Sequence, residues 1–440
     1  MSPDTILSDT PIYDELYGYI DTTPLELEII DTALFQRLNH IKQLGMAYRV
    51  FPGAQHTRFS HSLGTMHLMD RMARSLELPK EEREKLRLAA LLHDVGHYPF
   101  SHTLETVFTN HHKNEDATHE KLGAFVINQT EIKDKLLANG YSKSDILEII
   151  SIIQGNSANV LHNQLMTSEL DADRLDYLLR DSASTGVVYG KVDLNRIMHT
   201  LALDNEGYLS IEEGGKGSAE GYIVSRYLMW ATIYTHKATA GFDELVQHMY
   251  PLIADTKYLG FDNIKKLSAE EFVAFDDSYV LSKIHEAYRK KDGSYLSELS
   301  RKFIEREHLE LVDQQKMLTD DREAAKRYNQ LDAFGSENHL KALSTSSGVD
   351  ENWIFHNNSN TALPTLRPIL EKYLAGEKPE DKEMQKALRI RKDGTSLPLS
   401  QDKNSIVYSL QDLSLDVVRL FTKDKKFATR LREVLETYWS

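Results

Sequence analysis

The stretch Leu86–Glu105, LRLAALLHDVGHYPFSHTLE, constrains this chain more than any other. Leu86, Ala89, Ala90 and His93 fall at i, i+3, i+4 and i+7, so the spacing predicts a helix with His93 on its core-facing stripe. Asp94 follows at once, and His97, His102 and Glu105 come next. An imidazole beside a carboxylate at the buried end of a helix costs free energy unless something satisfies both. A divalent metal does so, because neutral imidazole and carboxylate are both good ligands for borderline ions. Ordinary hydrogen bonds do so too, and the dipeptide alone does not choose between them.

Further inward polar groups sharpen the choice. A helix expected over about Ser60–Leu76 has the stripe His61, Gly64, Leu68 and Met72, which turns a second imidazole inward. Met166–Asp181, MTSELDADRLDYLLRD, reads as one helix with Met166, Leu170, Asp173 and Tyr177 on one face. A carboxylate within an apolar face is rarely left unpaired. Ala219–Ala240 reads as a long helix with Arg226, Trp230, Ile233 and Lys237 on one side and Tyr234 beside them. His61, His93, Asp94 and Asp173 form a candidate ligand set that fills four positions of an octahedron. Two positions stay open, and an open position separates a catalytic ion from a structural one. His97 and His102 lie just past the pair, with Glu105 three residues after His102, close enough on a helix to orient that ring.

Composition narrows the classes. The 440 residues suffice for about two or three domains and a large core. The chain has no cysteine, which excludes disulfides, thiolate metal sites and a cysteine nucleophile. A net charge of −15 opposes nonspecific binding to a polyanion, so a nucleic-acid partner is not expected. No apolar run is long enough to span a bilayer. The first residues, MSPDTILSDTPIYDELYGYI, are acidic where a signal peptide is basic. A cytoplasmic protein without a membrane partner is the expectation.

The other segments read more coarsely. Met1–Ile20 is expected as an extended or turn-rich arm, and Leu25–Gly45 as one or two helices stopping at Gly45. A loop is expected over Tyr48–Phe59, and helices are expected to start at Pro79 and His119. Asn110–Asp116 reads as a polar loop with His111 and His112 solvated, and Gly186–Gly190 as a helix break. Lys257–Glu310 reads as helical, Asp320–Asp350 as a charged and partly mobile stretch, and Val417–Tyr438 as a closing helix. Leu388–Ser409 alternates like two short strands around an Asp393-Gly394 turn.

Six strings between Ile30 and Gly241 occur in a fixed order: FQRLNHIKQLG, VFPGAQHTRFSHSLG, HDVGHYPFSH, ATHEKLG, DADRLDYLLRD and YTHK. With them the chain resembles the deoxynucleoside triphosphate triphosphohydrolases of the HD superfamily of metal-dependent phosphohydrolases. The resemblance implies a mainly α fold, an HD-domain helical core with a smaller mixed α+β C-terminal part. It implies an arm over 1–29, a phosphohydrolase core over 30–255 and a helical and mixed region over 256–440 that contributes to oligomer contacts.

It also implies roles. His61, His93, Asp94 and Asp173 would ligate iron, manganese or zinc, and magnesium would accompany the substrate phosphates. His102, backed by Glu105 where a family member has Asp, would protonate the leaving 5′ oxygen, while His97 and His119 would contact phosphate oxygens. Arg58, Arg174 and Arg226 would hold the triphosphate; taken alone, each also reads as a helix-surface salt bridge. Tyr234 would pack under the deoxyribose, Gln43 and Asp181 would bond its 3′-hydroxyl, and Leu44 and Tyr177 would line the pocket; as residues alone, both tyrosines also read as core. Thr235 stands near the base. Asp31, Gln36 and Arg37 match one wall of an activating-nucleotide site between the subunits of a tetramer, with Asn39 where a family member has Arg. The implied reaction converts a dNTP to deoxynucleoside and inorganic triphosphate. Another HD nucleotidase or phosphodiesterase, or a noncatalytic nucleotide-sensing scaffold, are the alternative readings.

Overall fold

Side-chain caps open the helices that carry His119 and Asp173, whereas the helix that carries His61 and the one that ends at His93 begin without one. The computed structural model describes residues 10–111, 116–317, 322–359, 386–410 and 416–439. Residues 1–9 of the arm, His112 and the side chain of His111 lie outside the described residues.

The arm is a hairpin in which β1 (Ile12–Asp14) pairs antiparallel with β2 (Gly18–Ile20). Helix α1 (Pro24–Ile30) follows, opened by a capping box between Thr23 and Glu26. Gly45 does not end a helix, as the sequence suggested. It opens a 3₁₀ turn, Gly45–Arg49, at φ +48°, where a Cβ would lie 2.5 Å from Thr103 Oγ1. Helices α2 (Arg58–Ser75) and α3 (Lys80–Leu92) pack side by side and bury His61, Leu68 and Met72. The short α4 (His102–Thr106) continues into a wide turn over Val107–His111, and α5 (His119–Gln129) comes next.

Met166–Asp181 is not one helix. One helix covers Val160–Thr167, and α6 (Ala172–Thr185) starts afresh. Ser168 turns its hydroxyl onto the Leu170 backbone, and Asp171 caps the new helix by accepting from the Arg174 N–H at 2.7 Å. Asp173 therefore sits in a first turn. Gly186 closes α6 in the left-handed conformation. The expected helix Ala219–Ala240 is likewise two. Helix α7 (Lys216–Met229) widens into a π turn over Trp230–Tyr234, and α8 (Lys237–Ile253) restarts after His236 caps it with Nδ1, accepting from the Ala238 N–H. Lys237 is exposed in consequence.

The C-terminal part mixes strands and helices. The turn at Asp393-Gly394 joins β7 (Arg389–Lys392) to β8 (Thr395–Pro398), with both turn residues at positive φ. Their sheet runs β3-β4-β7-β8, where β3 is Leu201–Leu203 and β4 is Leu209–Glu212, and β7 lies parallel to β4. A second sheet, β5-β9-β6, combines Glu310–Lys316, Val417–Thr422 and Ile354–Ser359 in antiparallel register. Lys257–Glu310 thus ends in the start of a strand. Val417–Thr422 is also a strand, since V-V-R-L-F-T suits a central position buried on both faces. The closing helix, expected over Val417–Tyr438, begins only at Lys425 and runs to Trp439. Within the charged stretch, Arg322–Asp332 and Glu337–Ser347 are helices. One apolar cluster runs from Ile20 to Leu435 beneath both parts.

Candidate active site

Two imidazoles meet where α2 and the end of α3 face the first turn of α6. His61 Nε2 lies 3.0 Å from Asp173 Oδ1 and 3.7 Å from Asp94 Oδ2. His93 Nε2 lies 3.3 Å from Asp94 Oδ1 and 3.8 Å from Asp173 Oδ1. Ligand atoms of His61, His93 and Asp94 all fall within 4.8 Å of one another. The opposite nitrogens are already engaged. His61 Nδ1 pairs with Asp176 Oδ2 at 2.8 Å, and His93 Nδ1 with the Ala90 carbonyl at 2.7 Å. Both Nε2 atoms are buried and make no hydrogen bond among the described residues. Such orphaned nitrogens, aimed at two carboxylates, fit a divalent cation.

The electrostatics agree. Burial alone lowers the His61 pKa, but the Asp173 and Asp176 carboxylates outweigh it and push the ring up to about 10. Burial opposes ionisation of Asp94 too, yet Arg58, His93 and His97 hold its carboxyl well below the usual range. A cluster this rich in carboxylate binds a proton where a cation would otherwise sit.

Asp176 is the partner that periodicity missed. It lies three residues after Asp173 and is wholly buried, accepting from His61, from Tyr17 Oη at 2.8 Å and from Arg180 Nε at 2.9 Å. Gly64 is required beneath it, because a Cβ there would lie 1.9 Å from Asp176 Oδ1. The i, i+3 spacing of Asp173 and Asp176 on one helix was the available signal.

A second imidazole group adjoins the first. Phe100 and Ser101 both sit at φ +55°, bending the chain between α3 and α4 so that His97 and His102 approach each other. His97 and His119 stack at 3.9 Å, and His102 meets both rings edge-on. Glu105 accepts from His102 Nδ1 at 2.6 Å, from His119 Nδ1 at 2.9 Å and from the His119 backbone N–H at 2.7 Å. Burial opposes the shift, but Glu105 pushes His119 up to about 9. Burial and Arg58 push His97 down. One stacked ring thus favours its cation and the other its neutral form. His102 stands 65% exposed at the mouth.

These groups open onto a cavity of about 900 Å³, lined by Gln43, Leu44, Arg58, Tyr177, Asp181 and Tyr234 along with Asp94 and His97. The far wall comes from α8 and β6, with Asp243, Glu244 and Asn357 facing in. Arg58 reaches Asp94 Oδ2 at 2.8 Å and Ser101 Oγ at 2.9 Å. Two of the three arginines assigned to phosphate do not line this cavity. Arg174 turns back onto Asp171, and buried Arg226 donates to the Glu169 carbonyl at 3.3 Å. Helix restart at Asp171 causes the first, because capping brings that carboxylate to the Arg174 fork.

Of the three residues matched to an activator wall, Asp31 and Gln36 stay at the surface and only Arg37 is buried. Asp31 is exposed, and Gln36 donates to the Ile30 carbonyl at 2.8 Å. Arg37 is 1% exposed, with Nε 2.8 Å from the Phe275 carbonyl, Nη2 2.8 Å from the His97 carbonyl and the Phe272 ring 4.3 Å away. Its guanidinium is an internal strut between the Phe275 and His97 carbonyls.

An HD-domain family profile matches residues 58–181, and an HD-associated-region profile matches residues 192–354. The uncharacterized protein YwfO of Bacillus subtilis is 32% identical over 382 residues, 82% of each chain. The deoxynucleoside triphosphate triphosphohydrolase SAMHD1 of Bos taurus is 31% identical over 271 residues, 53% of this chain and 46% of the bovine one. The crystal structure of a hypothetical protein from Aquifex aeolicus superposes with a TM-score of 0.74 at 26% identity, covering 97% of this chain and 99% of that one. A phosphohydrolase from Bacteroides thetaiotaomicron shares the fold, with a TM-score of 0.71 at 24% identity over 94% and 100% of the two chains.

Proposed function

This chain belongs to the HD superfamily of phosphohydrolases, and we propose that it hydrolyses deoxynucleoside triphosphates to deoxynucleoside and inorganic triphosphate. The observation that carries this reading is the pair of buried Nε2 atoms of His61 and His93, turned toward carboxylates and not toward hydrogen-bonding backbone. They face Asp94 and Asp173 at one end of a cavity whose wall continues to Tyr234 and Asp181. The likeness to SAMHD1, over about half of either chain, is the reason for naming dNTPs rather than another phosphoester.

His61, His93, Asp94 and Asp173 would hold a divalent transition metal, iron, manganese or zinc. When bound, that ion supplies Lewis-acid polarisation of phosphate and an activated water. The chain's own groups do the rest. Arg58 and the His97–His119 stack offer positive and neutral donors to phosphate oxygens, and magnesium accompanies those phosphates. His102 stands at the mouth with Glu105 against Nδ1, and in its doubly protonated form the ring gives the Nε2 proton to the leaving 5′ oxygen and is left neutral with its hydrogen on Nδ1. Tyr234 and Asp181 receive the sugar. A homo-oligomer, formed as a tetramer, is part of the proposal; an activator contact through Arg37 is not.

The test is chromatography of products from metal-loaded protein given all four dNTPs together, so that any nucleotide that activates is present. Deoxynucleoside and inorganic triphosphate in equal amounts support the reading. Orthophosphate instead points to a nucleotidase, and unchanged dNTPs across iron, manganese and zinc remove it.

A further inference from the structure

One buried histidine ties together both residues assigned to the sugar hydroxyl, yet belongs to neither the metal cluster nor the imidazole stack. His56 lies on the loop before α2. Its Nε2 is 2.7 Å from Asp181 Oδ1, and its side chain is 3% exposed. Its carbonyl oxygen accepts from the Gln43 backbone N–H at 3.1 Å. The neighbouring residues complete a short bridge: Thr57 pairs with Lys42, and the Arg58 N–H donates to the Ile41 carbonyl at 2.9 Å. Main chain and ring of one residue thus hold Gln43 and Asp181.

Asp181 is fixed from both sides. Tyr234 Oη donates to Oδ2 at 2.6 Å while His56 occupies Oδ1. A carboxylate only accepts, so Nε2 of His56 carries the hydrogen. Asp181 is 1% exposed and lines the cavity, and its remaining lone pairs are the ones left for a ligand. Gln43 shows the same readiness. It is 6% exposed and lines the same cavity, and its Oε1 makes no hydrogen bond among the described residues. A buried acceptor without a donor costs free energy until a ligand donor arrives.

We propose that His56 is a positioning residue: by holding Asp181 through its ring and Gln43 through its carbonyl, it sets the enzyme's requirement for a substrate hydroxyl at the 3′ carbon. This rests on the nucleotide reading above. Without the ring, the Asp181 carboxylate rotates toward solvent or Tyr234, and its contribution to hydroxyl recognition is lost. The main-chain bridge keeps Gln43 in place, so the loss is one of selectivity and not of the fold. A glutamine at this position restores a side-chain N–H donor.

The experiment is an internal competition. Wild type, His56→Ala, His56→Phe and His56→Gln, each metal-loaded, receive the four dNTPs plus 2′,3′-dideoxyadenosine triphosphate. The consumption ratio of dATP to its dideoxy counterpart gives the ratio of their kcat/KM values, while metal content and melting temperature are measured alongside. We expect a ratio of about 10 or more for wild type, falling to about 2 in His56→Ala and His56→Phe and largely retained in His56→Gln. His56→Phe keeps the ring volume should His56→Ala fail to fold. An undiminished ratio in His56→Ala or His56→Phe overturns the proposal, even if turnover falls. Equal wild-type consumption of both compounds leaves the nucleotide reading standing and overturns this one. No dNTP consumption by wild type overturns both.

Discussion

His61 Nδ1 and Asp176 Oδ2 lie 2.8 Å apart with both residues wholly buried. This contact fixes which nitrogen of His61 faces the cluster, because a carboxylate against Nδ1 holds the hydrogen there and leaves Nε2 as the atom that would give its lone pair to a bound ion. Tyr17 from the N-terminal hairpin and Arg180 from α6 share the same carboxylate, so ring orientation depends on three elements at once.

Removing that carboxylate should cost metal before it costs fold. Asp176→Asn keeps the volume but loses the charge, and metal affinity is expected to fall about 10- to 100-fold. Titration of apo-protein with zinc or manganese, followed by elemental analysis, checks this. Affinity equal to wild type would show that Asp176 serves Tyr17 and Arg180 and not the metal cluster.

Gly96 should not tolerate a side chain. A Cβ there would lie 2.1 Å from the Gly123 nitrogen and 2.4 Å from the His119 carbonyl, both backbone atoms of α5. No rotamer relieves such a contact, so α5 must back away and separate His119 from His97. Gly96→Ala is expected to lose about 2 to 3 kcal/mol of stability, read by urea unfolding, and activity should fall with it. An unchanged midpoint would mean that α5 does not approach this closely.

Arg37→Ala tests strut against sensor. Burial pulls the Arg37 pKa down to about 10, although Asp276 and Asp277 work against it. The side chain spends its charge on the carbonyls of Phe275 and His97. Truncation leaves those oxygens buried without donors, at about 3 kcal/mol. Thermal melting should drop by several degrees with or without nucleotides. A variant of wild-type stability that had lost nucleotide activation would restore the sensor role.

Stability should rise as pH falls from about 8 to about 5. Burial pushes Asp243 up to about 7 and Glu244 up to about 8, against about 4 in the unfolded chain. The fold therefore binds more protons than the unfolded state across that window. Each group's favourable contribution is complete below about pH 4 and lost as pH rises through 7 or 8. The groups facing them are Thr103, Asn357 and His248, none of them a lysine or arginine. Urea unfolding should show higher stability at pH 6 than at pH 8.5, with the two carboxyls together contributing about 4 kcal/mol, and Asp243→Asn with Glu244→Gln should reduce the difference while the raised His61 and His119 keep its sign. A slope of opposite sign would mean that both carboxyls stay ionised.

Much of the site was legible because helical period is a local property. Three- and four-residue spacing turned His61 and His93 inward, and both are buried at the cluster. What periodicity could not reach were endings. Met166–Asp181 carries one apolar pattern, but Ser168 and Asp171 offer their side chains to the backbone and split it. Val417–Thr422 and Ala219–Ala240 went astray for the same reason: β-branched burial between two strands, and a histidine cap, act across space or over two residues.

By itself, then, the amino-acid order determined the mainly helical class, the inward faces and the set of residues able to ligate a metal, since these follow from residue type and period. Only the tertiary structure decided which charges are free to meet a ligand. Arg58 reaches the cavity, Arg174 folds back on its own helix cap, and Arg37 is locked under Phe275. A guanidinium takes whichever oxygens packing brings within 3 Å, and those oxygens can lie two hundred residues away, as Phe275 does from Arg37.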